Sequence, residues 1–123
     1  MPDQACTTYT KGLQGEAAAE AHLIQKGFTP LARRYHSPYG EIDLIMLDGE
    51  ILVFIEVKAR HLGTLYAAQT AVTPSKQRKI IQTALCYLNE HPEHAQRVMR
   101  FDIAGLSAEC IAHIPNAFQG HGW

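Results

Sequence analysis

The 123-residue chain is poor in cysteine and does not pair what it has. Cys6, Cys86 and Cys110 are an odd number, far apart, with no C-x-x-C motif. That excludes a disulfide framework and a zinc knuckle, and free thiols suit a reducing compartment. No apolar run approaches the roughly 18 residues of a membrane span. The opening MPDQACTTYTKG has neither the basic start nor the apolar centre of a secretion signal. Nor is one charge in excess. The 11 Lys and Arg against 12 Asp and Glu leave a net of −1, which excludes a uniformly basic nucleic-acid coat. Repeats and low-complexity tracts are also missing. What is present is ordinary globular material, 46% hydrophobic and 19% charged, in a length that buries a core without staples. These features predict a cytoplasmic protein of one domain, residues 1–123, with no membrane partner and with 1–11 and 119–123 flexible.

The small net charge conceals a segregation. Residues 1–56 hold eight acids and four bases, whereas residues 57–89 hold Lys58, Arg60, Lys76, Arg78 and Lys79 and no acid. Residues 90–123 return to four acids and two bases. Carboxylates followed by an acid-free stretch suggest two neighbouring surfaces, one able to hold a cation and the other a polyanion. Lysines that merely solvate a helix face are the plain alternative.

Patterning predicts a helix from about Leu13 to Lys26, rich in Ala, Glu, Leu and Gln, with Gly27 placed to end it. A strand is expected over 28–35, weakened by Pro30, and HSPYG then turns the chain. Two β-rich runs follow at 41–47 and 51–58, joined by the hairpin signal Asp48-Gly49. The next stretch, HLGTLYAAQTAV, reads as a mobile connection. Thr73-Pro74 then supplies an N-cap and first residue for a helix to about Asn89. Its expected apolar stripe is Ile80, Ile81, Ala84, Leu85 and Leu88, with Lys76, Lys79 and Thr83 on the opposite side. Two short strands, 98–104 and 110–114, complete the order α-β-β-β-α-β-β, an α/β domain around one central sheet. His91 and His94 stand three apart in HPEH, but Pro92 between them and the lack of further ligands predict a solvated loop.

The segment richest in chemistry is GEIDLIMLDGEILVFIEVKAR, residues 40–60. A two-residue turn at Asp48-Gly49 would pair Leu47 with Glu50, Asp43 with Phe54 and Glu41 with Glu56. Glu41, Asp43, Glu56 and Lys58 would then share one face, beside Ile45, Leu52 and Phe54. The other face, from Ile42 to Val57, is wholly apolar and must be core. Carboxylates gathered on a half-apolar surface repel one another and lose hydration, and a divalent cation would relieve both. The plain alternative is an edge hairpin with its charges in water. Glu16 and Glu20, four apart on the first helix, place at least one carboxylate towards the side that helix should bury.

GEIDLI, FIEVKAR, AVTPSKQRKI and RFDIA together resemble the YraN family of small uncharacterised bacterial proteins, from about Gly12 to Phe118. That resemblance implies membership of the PD-(D/E)xK nuclease superfamily and a layout similar to Holliday-junction resolvases. The implied fold is a restriction-endonuclease-like core, a central mixed β-sheet flanked by helices. Asp43 matches the aspartate of the "PD" strand, although Ile42 stands where the motif has proline. Glu56 and Lys58 match the E and K of E-x-K, and Glu16 matches the first-helix glutamate.

The implied activity is Mg²⁺-dependent hydrolysis of phosphodiester bonds, with Mn²⁺ as a substitute. The implied metal ligands are Asp43, Glu56 and the Val57 carbonyl, with Glu16 and Glu41 as further candidates. Lys58 would orient the attacking water and stabilise developing charge. Arg60, Lys76, Arg78 and Lys79 are the candidates for phosphate contacts. Nucleic acid is the implied partner, DNA ahead of RNA and branched or structured forms included. A homodimer is the arrangement usual among resolvase-like relatives. Two rival readings stay open: a nucleic-acid-binding module that does not cut, and a protein-interaction domain on the same fold.

Overall fold

A computed structural model describes residues 14–58, 72–106 and 111–119. The predicted mobile connection, all but Val72, falls outside the described residues, as do Arg60 and the segments 1–11 and 120–123. Helix α1 spans Gln14–Gln25, then come strands β1 (Thr29–Ser37), β2 (Gly40–Asp48) and β3 (Ile51–Lys58). Helix α2 spans Pro74–Glu90, a short 3-10 turn covers Pro92–His94, and β4 (Met99–Leu106) and β5 (Ile111–Phe118) close the order. The sheet order is β1-β2-β3-β4-β5. All neighbours are antiparallel except β3 and β4, which run parallel and are joined through α2. The chain is thus an α/β protein with a mixed five-stranded sheet flanked by two helices.

Local chemistry accounts for most of the boundaries. Leu23 O accepts the N–H of Phe28 at 3.0 Å, closing α1 over Gly27. At the start of α2, Thr73 Oγ1 accepts the Lys76 N–H at 3.2 Å and Pro74 takes the first helical position. Pro30 does not end β1, because β1 is an edge strand and its register shifts between Pro30 and Ala32.

The β2–β3 hairpin turns one residue later than expected. Asp48 pairs with Ile51, Leu47 with Leu52 and Ile45 with Phe54, so Gly49 and Glu50 form the loop and Gly49 takes φ +62°. Every pairing moves by two residues. The side-chain period is also two, so Leu44, Met46, Val53 and Ile55 still share a face, but Ile42, expected with them, packs with Ile45 and Phe54 on the opposite one.

Both faces of the sheet are buried. Ala19, Leu23 and Phe28 pack with Leu44, Met46, Val53, Ile55 and Ala104 on the α1 side. Ile80, Ala84 and Tyr87 of α2 pack with Ile45, Leu52, Phe54, Phe101 and Ile103 on the other. The hairpin is therefore no edge element with one wet side. α1 crosses β4 closely, since a Cβ on Gly15 would lie 2.8 Å from Leu106 Cδ1.

Three further expectations are corrected. α2 buries Ile80, Thr83, Ala84 and Tyr87 and leaves Leu85 exposed, so its inner face is rotated towards Thr83. Aromatic packing accounts for that, because Tyr87 meets Tyr35 and Phe54 edge-on, and Ser37 Oγ shares a 2.8 Å hydrogen bond with Thr83 Oγ1. β5 runs through Pro115 to Phe118 instead of ending at 114, because the β4–β5 register shifts between Phe101 and Ile103. The extra β5 residues are taken up with Asn116 at φ +53°. The HPEH segment is solvated at Pro92 and Glu93, but its two histidines are packed. His91 stacks on Tyr87 at 4.2 Å, and His94 is buried with Nδ1 accepting from Arg97 Nε at 2.9 Å.

Candidate functional site

Pairing between β2 and β3 stops at Leu44 and Ile55, one step short of Asp43 and Glu56. There the Val57 N–H donates to Asp43 Oδ2 at 2.7 Å. Glu56 is buried by the strands around it, 8% exposed. Its Oε2 lies 3.7 Å from Lys58 Nζ and 3.3 Å from Lys76 Nζ. Lys76 therefore does not face away from the sheet as expected. It stands in the first turn of α2, on the face that covers Phe54 and Glu56, and reaches down to the carboxylate.

Burial, and then the negative charge of Glu56, pushes the Asp43 carboxyl up to about 7, against the opposing pull of the Val57 N–H. Lys58 is lowered from the ordinary lysine value, first by burial and then by Lys76. Lys76 is raised, first by its hydrogen bond with Lys58. Two carboxylates and two amines thus stand close enough for each charge to bear on its neighbours.

Glu16 enters from α1. Arg34 Nε donates to Glu16 Oε1 at 3.0 Å, and the Glu16 charge still bears on Asp43. Glu20, its neighbour on the helix, is held apart by Arg33, which donates to both of its carboxylate oxygens at 2.7–3.0 Å. Glu41 is not gathered in. It is exposed, opposite His36 on β1, with His36 Nε2 3.3 Å from Glu41 Oε1. Lys79 and Arg78 are exposed on α2.

Arg34 is a neighbour of the site that the sequence did not single out. It lies on β1 within reach of the Glu16, Glu41 and Asp43 charges, and holds φ +50°. Its signal was the Arg33-Arg34 pair preceding the GEIDLI strand. Asp102 was missed as well. An aspartate inside the apolar run RFDIA is unusual, and the structure gives it four hydrogen bonds: two from Arg100, one from the Asn116 N–H, and one with His113 Nε2.

Asp43 and Glu56 offer hard oxygen donors, backed by the Val57 backbone. Among the described residues no group of three or more His, Cys, Asp or Glu side chains is arranged to hold a metal ion. The donor set fits Mg²⁺ in its usual mode, with one or two carboxylates and the remaining positions left to water and substrate phosphate. It does not fit a closed structural site. Among the described residues no helix is long and apolar enough to cross a membrane.

The fold and site define an α/β protein whose central antiparallel pair buries a carboxylate couple beside two lysines. The chain belongs to the UPF0102 family, described as an uncharacterised protein family, whose sequence model matches residues 15–106. It is 44% identical over 112 residues to a UPF0102 protein of Rhodopseudomonas palustris strain BisB18, covering 90% of this chain and 82% of that one. Identity is 45% over 107 residues to a UPF0102 protein of Saccharophagus degradans, covering 87% and 91%. A UPF0102 protein of Nitrobacter winogradskyi shares 47% over 109 residues, covering 88% and 91%.

Proposed function

We propose that this chain is a Mg²⁺-dependent nuclease that hydrolyses phosphodiester bonds in DNA, branched or structured forms included, with Mn²⁺ able to substitute. The observation that carries this reading is the couple of half-buried Asp43 and buried Glu56, with Lys58 and Lys76 at its rim. Buried like charges cost stability, and the phosphodiester reaction has a use for them. Asp43, Glu56 and the Val57 carbonyl would hold the ion, with Glu16, whose charge bears on Asp43, as a further candidate ligand. When bound, the metal supplies a water of lowered pKa and neutralises charge on the phosphate.

The chain's own residues do the rest. Lys58, its proton loosened by burial, positions the attacking water and faces the charge that develops on the phosphate. Lys76 neutralises Glu56 from α2 and turns to a phosphate oxygen when substrate arrives. Arg78 and Lys79, exposed on the same helix, add phosphate contacts that fix position without reading sequence. A homodimer would present two such sites.

The test is a cleavage screen over single-stranded, duplex and four-way-junction DNA and matched RNA, with Mg²⁺ or Mn²⁺. Asp43→Asn and Lys58→Ala are run in parallel. Metal-dependent cleavage lost in both variants, with binding retained, supports the reading. Tight binding without cleavage by the wild type favours the non-cutting module, and neither binding nor cleavage leaves the protein-interaction domain.

A further inference from the structure

The β1–β2 turn presents an aromatic ring that the packing does not explain. Tyr39 is 51% exposed, although the turn that carries it is held firmly. Its N–H donates to Ser37 Oγ at 3.0 Å, and Ser37 Oγ in turn shares the 2.8 Å hydrogen bond with Thr83 Oγ1 of α2. Gly40 sits so near α2 that a Cβ there would lie 3.8 Å from both Lys79 Cβ and Thr83 Oγ1. Tyr39 is thus an exposed residue on a braced turn, and the next residue, Gly40, lies against the stem of exposed Lys79. Gly40 precedes Asp43 by three residues of β2, about 10 Å of strand.

We propose that Tyr39 is a stacking platform for an unpaired base flanking the cleavage position, with Lys79 contacting the phosphate of that nucleotide. The inference rests on the nuclease reading and narrows its substrate class. An exposed ring can stack only on a base whose own face is open. The preferred substrate therefore carries a single-stranded or splayed segment beside the cut, and continuous duplex is disfavoured. Sequence preference at that position is weak, because every base has a face to offer. The hydrogen bonds of Ser37 hold the backbone that carries the ring before substrate arrives, so less freedom is lost on stacking.

The test uses fluorescein-labelled oligothymidine, a gapped duplex and a blunt continuous duplex, titrated with EDTA present so that nothing is cut. Tyr39→Ala should weaken binding to oligothymidine and gapped DNA by about 5- to 150-fold while changing blunt-duplex binding little. Tyr39→Phe should restore it, and Tyr39→Trp should show fluorescence quenched by oligothymidine. Equal loss on all three DNAs, or no loss on any, overturns this inference and leaves the nuclease reading standing. Self-association that disappears in Tyr39→Ala, with DNA binding unchanged, assigns the ring to a contact between copies and also overturns it. A wild-type chain that binds none of the three DNAs overturns the nuclease reading together with this one.

Discussion

Asp43 on β2 and Asp102 on β4 are both drawn into the same sheet, and their surroundings treat them in opposite ways. Asp102 is completely buried, and burial alone would push its carboxyl up. His113, Arg100 and the Asn116 N–H outweigh that and hold it below the usual carboxylate range. Arg100 also reaches Asp48 at 2.9 Å, and the far nitrogen of His113 meets Lys26, in the turn just past α1. Asp43, only partly buried, has a single N–H donor and a second carboxylate beside it, and is pushed up to about 7. One aspartate has more positive partners than its charge needs, and the other has fewer. Saturated polar networks hold a fold together, whereas an unsatisfied one marks a place where something else is to bind.

The sharpest way to break the contrast is Asp102→Asn. Removing that charge leaves Arg100 with Asp48 as its one carboxylate and takes the charged partner from buried His113, at a cost of about 3–5 kcal/mol. Thermal unfolding should show Tm lower by about 10 °C or more.

Asp43→Asn should go the other way. In the unfolded chain Asp43 ionises near its ordinary 3.8, and in the folded one near 7. The folded form therefore holds the extra proton between those values. Stability from this group is greatest below about pH 4 and falls as the pH rises to about 7. Partial exposure limits the penalty at pH 8 to about 2 kcal/mol, which the asparagine should recover in metal-free buffer. Denaturant melts at pH 5 and pH 8 measure it. A metal-free wild type no less stable at pH 8 than at pH 5, relative to the variant, would contradict the assignment.

A third effect is smaller and belongs to the metal. At pH 6.5 an ion entering the couple should displace about half to one proton. Calorimetric titration with Mg²⁺ in buffers of different ionisation enthalpy reads that number directly. Asp43→Asn should abolish it, and Asp102→Glu should not. The smallest effect expected is for Arg34→Gly, which relieves the positive φ while releasing Glu16. These oppose one another, so Tm should move by no more than about 3 °C.

Much of this was legible in the residues, for reasons that differ from place to place. The shared face of Asp43, Glu56 and Lys58 survived a wrong turn position because parity, not register, decides which side a strand residue takes. The Thr73-Pro74 start of α2 was legible because capping is chemistry of adjacent residues. The inner face of α2 was not, because Thr83 looks polar until Ser37 is known to meet it. Lys76 followed from the same rotation. The extension of β5 past Pro115 depended on Asp102 holding the Asn116 N–H, a contact between residues on neighbouring strands. Glu41 was not legible, since its neighbour Ile42 turns to the α2 side and His36 across β1 takes the carboxylate.

The parallel β3–β4 pair has a consequence for the chain's history as well as for its shape. β1, β2 and β3 can zip together locally as they leave the ribosome, carrying Asp43, Glu56 and Lys58 with them. The open edge of β3 is then ILVFIEVK, apolar and rich in β-formers, and its neighbour β4 begins only at Met99. Roughly forty residues must still be made, a wait of about 2–8 s at about 5–20 residues per second. During that interval the most adhesive strand of the protein is unpaired. Nascent chains held between Lys58 and Met99 are therefore the form most prone to aggregate and most in need of a chaperone, and completion of β4 is the event that ends the danger.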